Sequence, residues 1–565
     1  VAVHGIDLGT TNSAIARTGP DGRPQVLSGL SGAPTTPSVV LFASGSEHVV
    51  GEGARREARL DPEHVCALVK RRMGDAAWRF VAHGTAWSAP AVSSLILKSL
   101  VADAAFAGEE PKAAVITVPA YFGDEERRAT VLAGTYAGLD VVDVLSEPIA
   151  AALAYGFGRL DGSPDLAKGA QHETVLVYDL GGGTFDVTVI ELADRRISVL
   201  AVEGDHQLGG ADWDERLAVA LSREFCAQNP GAEDPLDDSA GAQALVLAAE
   251  RAKHELSEHD RTDVVVAHDG ARATVTLTRA QLEEMTAPLL RRTIDLTRAC
   301  LAEAARRGVP RVDRVLLVGG SSRMPAVAAA LRRDLQLDAH LHDPDLAVAR
   351  GAALYGEKKE LERMVAADLR TRGRLGRGRG GADGELLEDA AGADLDDACR
   401  RVADAYAVPL AQVRRAVEVR VDTVVSRGFG VLAVNSAAGR LEPSWLVHRN
   451  DRLPIRTSRS FGTMRADQSE IALTVVEQQG QAESNRAEDA KVLITGEITG
   501  IPPGHDEGSE VRVGFEMGFD GVLHVTAFHV EAGMPLTLSV TTGATLSQAE
   551  VARERDELGK QRRRG

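Results

Sequence analysis

Cysteine is scarce in this sequence. Its four residues, Cys66, Cys226, Cys300 and Cys399, are scattered, with no C-x-x-C pair. That excludes a zinc ribbon or a disulfide framework and predicts inert thiols in a reducing cytoplasm. Positive charge is in deficit: the formal net charge is −18 and the isoelectric point about 5.4. General binders of nucleic acid or anionic membranes carry the opposite balance, so neither partner is expected, and the acidity is read as serving solubility. No apolar run reads as long enough to span a bilayer, and no signal peptide precedes the first strand, which begins almost at Val1. The expectation is a soluble, cytoplasmic protein.

With 565 residues the chain is too long for one core and predicts two or three domains. Its 44% apolar and 26% charged residues mark it as globular. The most informative stretch is Asp179-Leu180-Gly181-Gly182-Gly183-Thr184-Phe185-Asp186. Apolar runs at 174–178 and 187–190 flank it, so it reads as a β-hairpin with a tight glycine turn. Glycines let the backbone approach a ligand and present N–H groups to a phosphate chain. The bracketing aspartates suit a hydrated Mg²⁺ or an oriented water. Near the start, Ile6-Asp7-Leu8-Gly9-Thr10-Thr11-Asn12-Ser13 has the same grammar. Two such hairpins suggest a duplicated fold whose halves face each other across a nucleotide.

Other stretches carry weaker local signals. Lys70 lies among helix-compatible residues and by itself reads as a surface charge. Residues 91–106 read as an amphipathic helix, with Val92, Leu95, Ile96 and Leu100 near helical spacing. A buried strand, 113–118, ends at Pro119, and Asp124 is expected to cap the next helix. The strand Val141 to Leu145 runs into Ser146-Glu147-Pro148, and α/β proteins place catalytic groups at strand ends. On a helix over 242–257, Glu250, Lys253 and Ser257 share a face. The strand 315–318 ends in Gly319-Gly320-Ser321-Ser322-Arg323, another close backbone approach. Asp343-Pro344-Asp345 precedes an alanine-rich helix, 346–356.

Composition shifts after residue 356. Residues 370–384 are rich in arginine and glycine and read as a solvated linker. Residues 394–417 look helical, with Leu395, Val402, Leu410, Val413 and Val417 as core candidates and Pro409 at a helix start. From Val417 the apolar period changes to two, and later runs over 471–476, 492–494, 511–515, 522–527 and 536–540 predict an all-β sandwich. Ser547 then caps a short charged helix.

The ordered motifs GIDLGTTNS, ALVKRRMG, VITVPAYF, LSEPIAAALAYG, DLGGGTFDVTV, LGGADWDERL, ERAKHELS, VLLVGGSSRMPAV and DPDLAVARGAALYG cover nearly all of 1–356. Together they resemble the seventy-kilodalton heat-shock chaperones of the DnaK type, and a weaker match extends over roughly 420–550. The resemblance implies an α/β, actin-like, two-lobed ATPase domain (1–356), a linker insertion (357–416), a β-sandwich peptide-binding domain (417–545) and a residual lid helix (546–565). It implies ATP/ADP and Mg²⁺ as cofactors, with K⁺ as a further candidate. Asp7, Glu147 and Asp179 would hold Mg²⁺ mainly through water, with Asp186 at the attacking water. Gly9, Thr10, Thr11, Asn12, Gly181, Gly182 and Gly183 would cradle phosphates, with Thr184 and Lys70 at the γ-phosphate. Glu250, Lys253, Ser257, Gly319, Gly320, Ser321, Arg323 and Asp345 would surround the adenosine. Pro119 and Arg127 match the family's interdomain switch.

The departures are specific. Phe80 to Pro90 is short, which predicts an altered surface for a nucleotide-exchange factor. Asp143 and Ser146 stand where the family has an arginine and an asparagine that help engage J-domain proteins, a charge inversion that disfavours the standard contact. Val417-Glu418-Val419-Arg420-Val421-Asp422 replaces the apolar linker. In the peptide channel, Phe429 and Leu432 fall on the lining strand, and Ser460 takes the place of a pocket valine. An unpaired hydroxyl there costs ~1 kcal/mol or more in binding a Leu side chain. The short segment after Ser547 predicts a nearly absent lid and fast peptide exchange. The leading expectation is an ATP-dependent chaperone for extended apolar peptides of unfolded proteins. The alternative is a nucleotide-gated module for one dedicated partner. A sugar or glycerol kinase on the same fold would lack the ERAKHELS match and the β-domain.

Overall fold

Two sheets with one strand plan face each other. The structure, a computed structural model, describes residues 2–564 except 30, 161–171, 194, 375–386, 388–389, 391, 436–438, 481–482, 519–520, 522 and 543–547. In the first lobe β1 (Val3–Asp7) and β2 (Asn12–Thr18) form a hairpin, extended by β3 (Pro24–Leu27) and the short β4 (Thr36–Pro37). A small sheet follows: β5 (Val40–Ser44), β6 (Glu47–Val50) and, after α1 (Glu52–Glu57), β7 (Val65–Cys66). The hairpin β8 (Phe80–Ala82) and β9 (Thr85–Trp87) leads to α2 (Ala89–Phe106). Then β10 (Ala113–Val118) pairs parallel to β1, and after α3 (Asp124–Tyr136), β11 (Asp140–Ser146) pairs parallel to β10.

After α4 (Glu147–Leu160) the plan repeats. The hairpin is β12 (His172–Leu180) with β13 (Phe185–Ala193), extended by β14 (Arg196–Asp205). An α-helical layer, α5 (Gly210–Gln228) and α6 (Ser239–Glu258), packs with the hairpin β15 (Arg261–His268) and β16 (Ala271–Thr278). Through α7 (Arg279–Arg306), β17 (Arg314–Val318) returns parallel to β12, and after α8 (Pro325–Leu335), β18 (Ala339–Leu341) joins β17. The duplication expected from the two hairpins is thus present in the topology.

Two elements differ from the sequence reading. The helix α2 is apolar enough by length and composition to cross a membrane, yet 67% of that stretch is buried within the first lobe. It is a core helix buried on most sides, capped by Ser88 accepting from Ala91 N, and not the amphipathic helix expected. The boundary drawn at 356 falls inside α9 (Ala347–Thr371), whose first half crosses the first sheet. The crossing is close: a Cβ on Gly5 would sit 2.0 Å from Ala353 N; α9 also packs tightly on α4, where a Cβ on Gly351 would sit 1.7 Å from Ala150 O. Of the four free thiols, Cys66, Cys300 and Cys399 are buried, and burial pushes Cys66 up to about 12.

The second half of α9 carries α10 (Gly392–Tyr406) and α11 (Leu410–Glu418) around Val365, Leu369, Val402 and Val413. Pro409 sits at the cap of α11, as its missing N–H allows. Val417, read as the first strand residue, is helical. The strand begins later, as β19 (Arg420–Asp422), and pairs parallel with β14, so the interdomain segment becomes the sixth strand of the second lobe's sheet.

The remaining strands form a sandwich: β20 (Phe429–Asn435), β21 (Arg440–Val447), β22 (Ile455–Gly462), β23 (Glu470–Gln478), β24 (Ala490–Thr499), β25 (Glu510–Met517), β26 (Leu523–His529), β27 (Met534–Pro535) and β28 (Thr537–Thr542). The order is β21-β20-β23-β24-β28 in one sheet and β22-β25-β26-β27 in the other, with Phe429, Val475, Val511 and Phe515 between them. The helix α12 (Gln548–Lys560) and the two-residue β29 (Arg562–Arg563) return to the first lobe. The arginine/glycine stretch beyond 374 and the Ser547 cap lie outside the described residues.

Candidate active site

Five charged side chains from five elements meet between the lobes. Asp7 ends β1, Asp179 lies in β12, Asp186 in β13, and Glu147 opens α4 directly after β11. Lys70 stands on a 3₁₀ turn, Val69–Arg72. The ladder of β12 and β13 sets Asp179 opposite Asp186. Lys70 Nζ donates to Glu147 Oε1 at 2.5 Å and lies 6.0 Å over the Phe122 ring. Thr117 Oγ1 donates to Asp7 Oδ1 at 3.3 Å, and the backbone N–H of Tyr121 donates to Asp186 Oδ1 at 3.0 Å.

Four carboxyl groups crowd one lysine, and all five side chains are buried or nearly so. Burial, with repulsion from Glu147, pushes Asp7 up to about 7 and Asp186 up to about 8, and it raises Asp179 well above the usual range. Among the described residues no three carboxylate or imidazole groups converge to ligate a metal directly. The donor set therefore fits a divalent cation that keeps its water shell, the habit of Mg²⁺.

The hairpin tips make the cradle. The Gly181 N–H donates to Thr184 O at 3.0 Å and closes the turn. A Cβ on Gly182 would meet Thr11 Cγ2 at 2.2 Å, and one on Gly183 would meet Thr10 Cγ2 at 2.2 Å. The tips of the two lobes thus touch, and only glycine permits it. Gly9 O accepts from Ser38 Oγ at 2.8 Å, while Asn12 opens β2, exposed. The N-terminus of α5 docks on the same turn, with Gly210 N donating to Gly181 O and Ala211 N to Gly182 O. Arg71, overlooked in the sequence, clasps the lobes: its Nε donates to Gly183 O at 2.8 Å and its Nη2 to Asp212 Oδ2 at 2.6 Å. Its only signal was a position next to Lys70.

The expected adenosine side is also assembled. Gly319 takes a left-handed conformation (φ 79°), and a Cβ there would sit 2.4 Å from Asp179 Oδ1. Ser321 Oγ and Lys253 Nζ both crowd Gly210, and Gly320 faces Asp345, which pairs with Arg323. Lys253 is buried and bonds Asp214 at 2.7 Å and Gly210 O at 3.0 Å. Ser257 Oγ is turned back to Lys253 O. Glu250 pairs with Arg55 of α1, a bridge across the mouth of the cleft that sequence reasoning also missed.

From this cleft a polar path leads to the sandwich. Pro119 and Tyr121 follow β10, and Arg127 on α3 donates to Val144 O and Phe122 O. Arg427 and Arg449 of the β-domain both lie over the Tyr121 ring, with centroid distances of 4.9 and 5.2 Å. Arg427 pairs with the fully buried Glu477 at 3.0 Å, and Glu477 accepts from Asp124 N at 3.4 Å. Asp124 is thus the first residue of α3 and not its cap: Gly123 holds the cap position, and a β-domain carboxylate satisfies the helix end. Lys491 pairs with Glu125, and Val202 N donates to Asn450 Oδ1 at 3.1 Å. Asp143 accepts from Tyr355 OH at 2.9 Å and pairs with Lys359 at 3.3 Å, so it is engaged by α9.

The expected channel residues do not converge. Phe429 is 3% exposed in the sandwich core, Leu432 packs by Trp445, Val476 and Ala490, and Ser460 is exposed and donates to Glu510. The alternation of β22 turns Ser460 away from the sandwich core. The neighbouring loop, 463–469, is tied to 504–509. His505 donates from both ring nitrogens, to Asp506 O at 3.0 Å and Gln468 O at 3.1 Å, which favours its cation; Asp467 and Glu531 add to this. Its pKa lies above the usual 6.5, so the clasp is complete below that value and is lost as pH rises through the raised one. Hydrogen exchange of 463–469 should therefore quicken on raising pH beyond the intrinsic rate, and His505→Ala should remove the dependence.

The family profile described as Hsp70 protein matches residues 3–82, 75–365 and 430–564. Relatives named Chaperone protein DnaK from Thermotoga petrophila, Thermotoga sp. strain RQ2 and Thermotoga maritima are each 34% identical over 563 residues, 98% of this chain and 82% of the relative. With the profile over both lobes and most of the sandwich, and such identity along nearly the whole length, the chain belongs to the Hsp70 family.

Proposed function

We propose that the interlobe cleft binds ATP with Mg²⁺ and hydrolyses it, and that the sandwich binds extended apolar peptides of unfolded proteins under control of the nucleotide. The family assignment makes the protein an ATP-dependent chaperone and an ATPase, and favours this over a module for one dedicated partner. The observation that carries the site is the buried cluster of Asp7, Glu147, Asp179 and Asp186 with Lys70, set between two glycine-threonine hairpins.

Mg²⁺, when bound, supplies charge neutralisation and ordered waters to Asp7, Glu147 and Asp179. Gly9 to Asn12, with Gly182 and Gly183, present backbone N–H groups to the phosphates, while the Gly181 N–H closes the turn on Thr184 O, and Thr10, Thr11 and Thr184 add hydroxyls. Lys70, released from Glu147, neutralises charge growing on the γ-phosphate. Asp186, held by the Tyr121 N–H, accepts from the attacking water and orients it. This is catalysis by positioning and electrostatics. Glu250, Lys253, Ser257, Gly319, Gly320, Ser321, Arg323 and Asp345 hold the adenosine, and K⁺ is a further candidate for the phosphate-lined cleft.

Pro119 and Arg127 relay the nucleotide state toward the β-domain. Asp143, engaged by Tyr355 and Lys359, supports a non-standard contact with any J-domain co-chaperone, and the short β8–β9 hairpin supports a distinct nucleotide-exchange surface. In a stopped-flow experiment, ATP should speed release of a labelled apolar peptide at least about tenfold, the range of allosteric coupling. An unchanged off-rate with normal hydrolysis would overturn the coupling and restore the dedicated-partner reading.

A further inference from the structure

The small sheet of the first lobe has an occupant at its open edge. Residues Arg562–Arg563 pair parallel with Glu47–His48 of β6. Arg562 N donates to Ser46 O at 2.9 Å, Arg564 N to His48 O at 2.8 Å, and Gln561 Nε2 to Gly45 O at 2.9 Å. Arg563 reaches α2, to Ser99 O and Asp103. An edge strand offers unpaired backbone groups, and an extended segment satisfies them without needing any particular side chain.

The helix just before this segment is anchored to the same lobe. In α12, Glu554 is 3% exposed and accepts from Ser88 N at 3.0 Å, Ser88 Oγ at 2.8 Å and Tyr136 OH at 3.1 Å. Leu558 enters the core beside Trp87 and Leu95, and Arg79 pairs with Glu550. A helix of 13 residues has little stability of its own and rests where its contacts hold it. None of the contacts just named is a phosphate-cradle or adenosine residue.

We propose that Gln561–Arg564 is a strap: by adding a strand to β6 it holds α12 on the first lobe in both nucleotide states, leaving the sandwich uncovered by that helix. This goes beyond the chaperone reading and does not depend on it. His48 reports the strap. It is buried under the segment, and the charged groups facing it are Lys98 from α2 and Arg563 from the strap. Burial and these cations hold it down to about 4, with Gln561 opposing.

The test is hydrogen exchange of residues 548–560, read with ATP and with ADP, in the full chain and in the Arg562→Pro/Arg564→Pro variant. Proline removes both backbone donors at positions outside the cores. The full chain should protect α12 equally with either nucleotide, and the variant should exchange at least about tenfold faster. The His48 ring, followed by NMR, should titrate near 4 in the full chain and rise toward 6.5 in the variant. Arg562→Ala keeps its N–H and should behave as the full chain. Unaltered protection in the proline variant, equal loss in the alanine variant, or release of α12 by ADP in the unmodified protein would each overturn the strap.

Discussion

Lys70→Ala should lower ATP turnover by about 10²-fold or more and leave ATP binding nearly unchanged. The lysine is 4% exposed, its ammonium is held at 2.5 Å by Glu147, and among the described residues the cluster it faces has no other buried cation on that side. Such a charge is of little use to bound ATP, whose phosphates are already cradled by two hairpins, and of most use when the γ-phosphoryl group leaves. The expected signature is a fall in kcat in single-turnover hydrolysis, with the Kd from equilibrium titration within about threefold of the starting protein. Loss of binding in step with turnover would assign Lys70 to the ground state. Unaltered turnover would remove it from the mechanism. Lys70→Arg should not rescue, because a planar guanidinium cannot sit in the same pocket against Glu147.

Much of this site could be read from local sequence, and the reason is geometric. Asp7 with Thr10–Thr11, and Asp179 with Thr184 and Asp186, belong to tight hairpins, where a few consecutive residues set the positions of all the functional atoms. The duplicated topology follows from the same hairpins. Lys70 and Glu147 were weak by themselves, since each reaches the cluster only through a lobe's whole tertiary arrangement. The pairings of Arg55, Arg71 and Asp214 could not be read locally: their partners Glu250, Asp212 and Lys253 lie on other elements, far away in sequence.

The β-domain was legible as a sandwich because a period of two is a strong signal, but its details were not. Ser460 and Phe429 depend on which face of a strand points inward, and a shift of one residue in register reverses that. The helix α2 misled for a related reason. Its first-turn proline, serine residues and alanines weaken any moment, and burial on nearly all sides needs no polar face. The interdomain strand β19 was hidden by its neighbour, since α11 carries helix up to Glu418 and the apolar alternation of 417–421 spans two elements. Its side-by-side pairing with β14 is a tertiary fact.

The junction those elements build leads to the second large expectation: Glu477→Ala should release the sandwich from the lobes. Glu477 is fully buried, pairs with Arg427, and accepts from the first N–H of α3. Burial raises its pKa and Arg427 pulls it back, so the pair stands or falls together. Removing the carboxylate leaves Arg427 buried, with Glu126 at 3.7 Å as its remaining acid. Breaking one side of such a pair costs about 3–5 kcal/mol, which is about 10²-fold or more in the docking equilibrium. Energy transfer between a dye on the first lobe and one on β24 should drop, with the melting of the lobes themselves preserved. Arg427 also stacks on Tyr121, whose N–H holds Asp186, so turnover should change together with docking. An apolar pair, Arg427→Met with Glu477→Leu, should recover most of the docking, because well-packed apolar residues replace buried ion pairs at little cost. If the apolar pair docks but turnover stays altered, the guanidinium on Tyr121 carries the coupling. If Glu477→Ala remains docked, the buried pair does not hold the domains, and the strand β19 with its register on Arg196, Ile197 and Ser198 must do so together with the Lys491–Glu125 and Asn450–Val202 contacts.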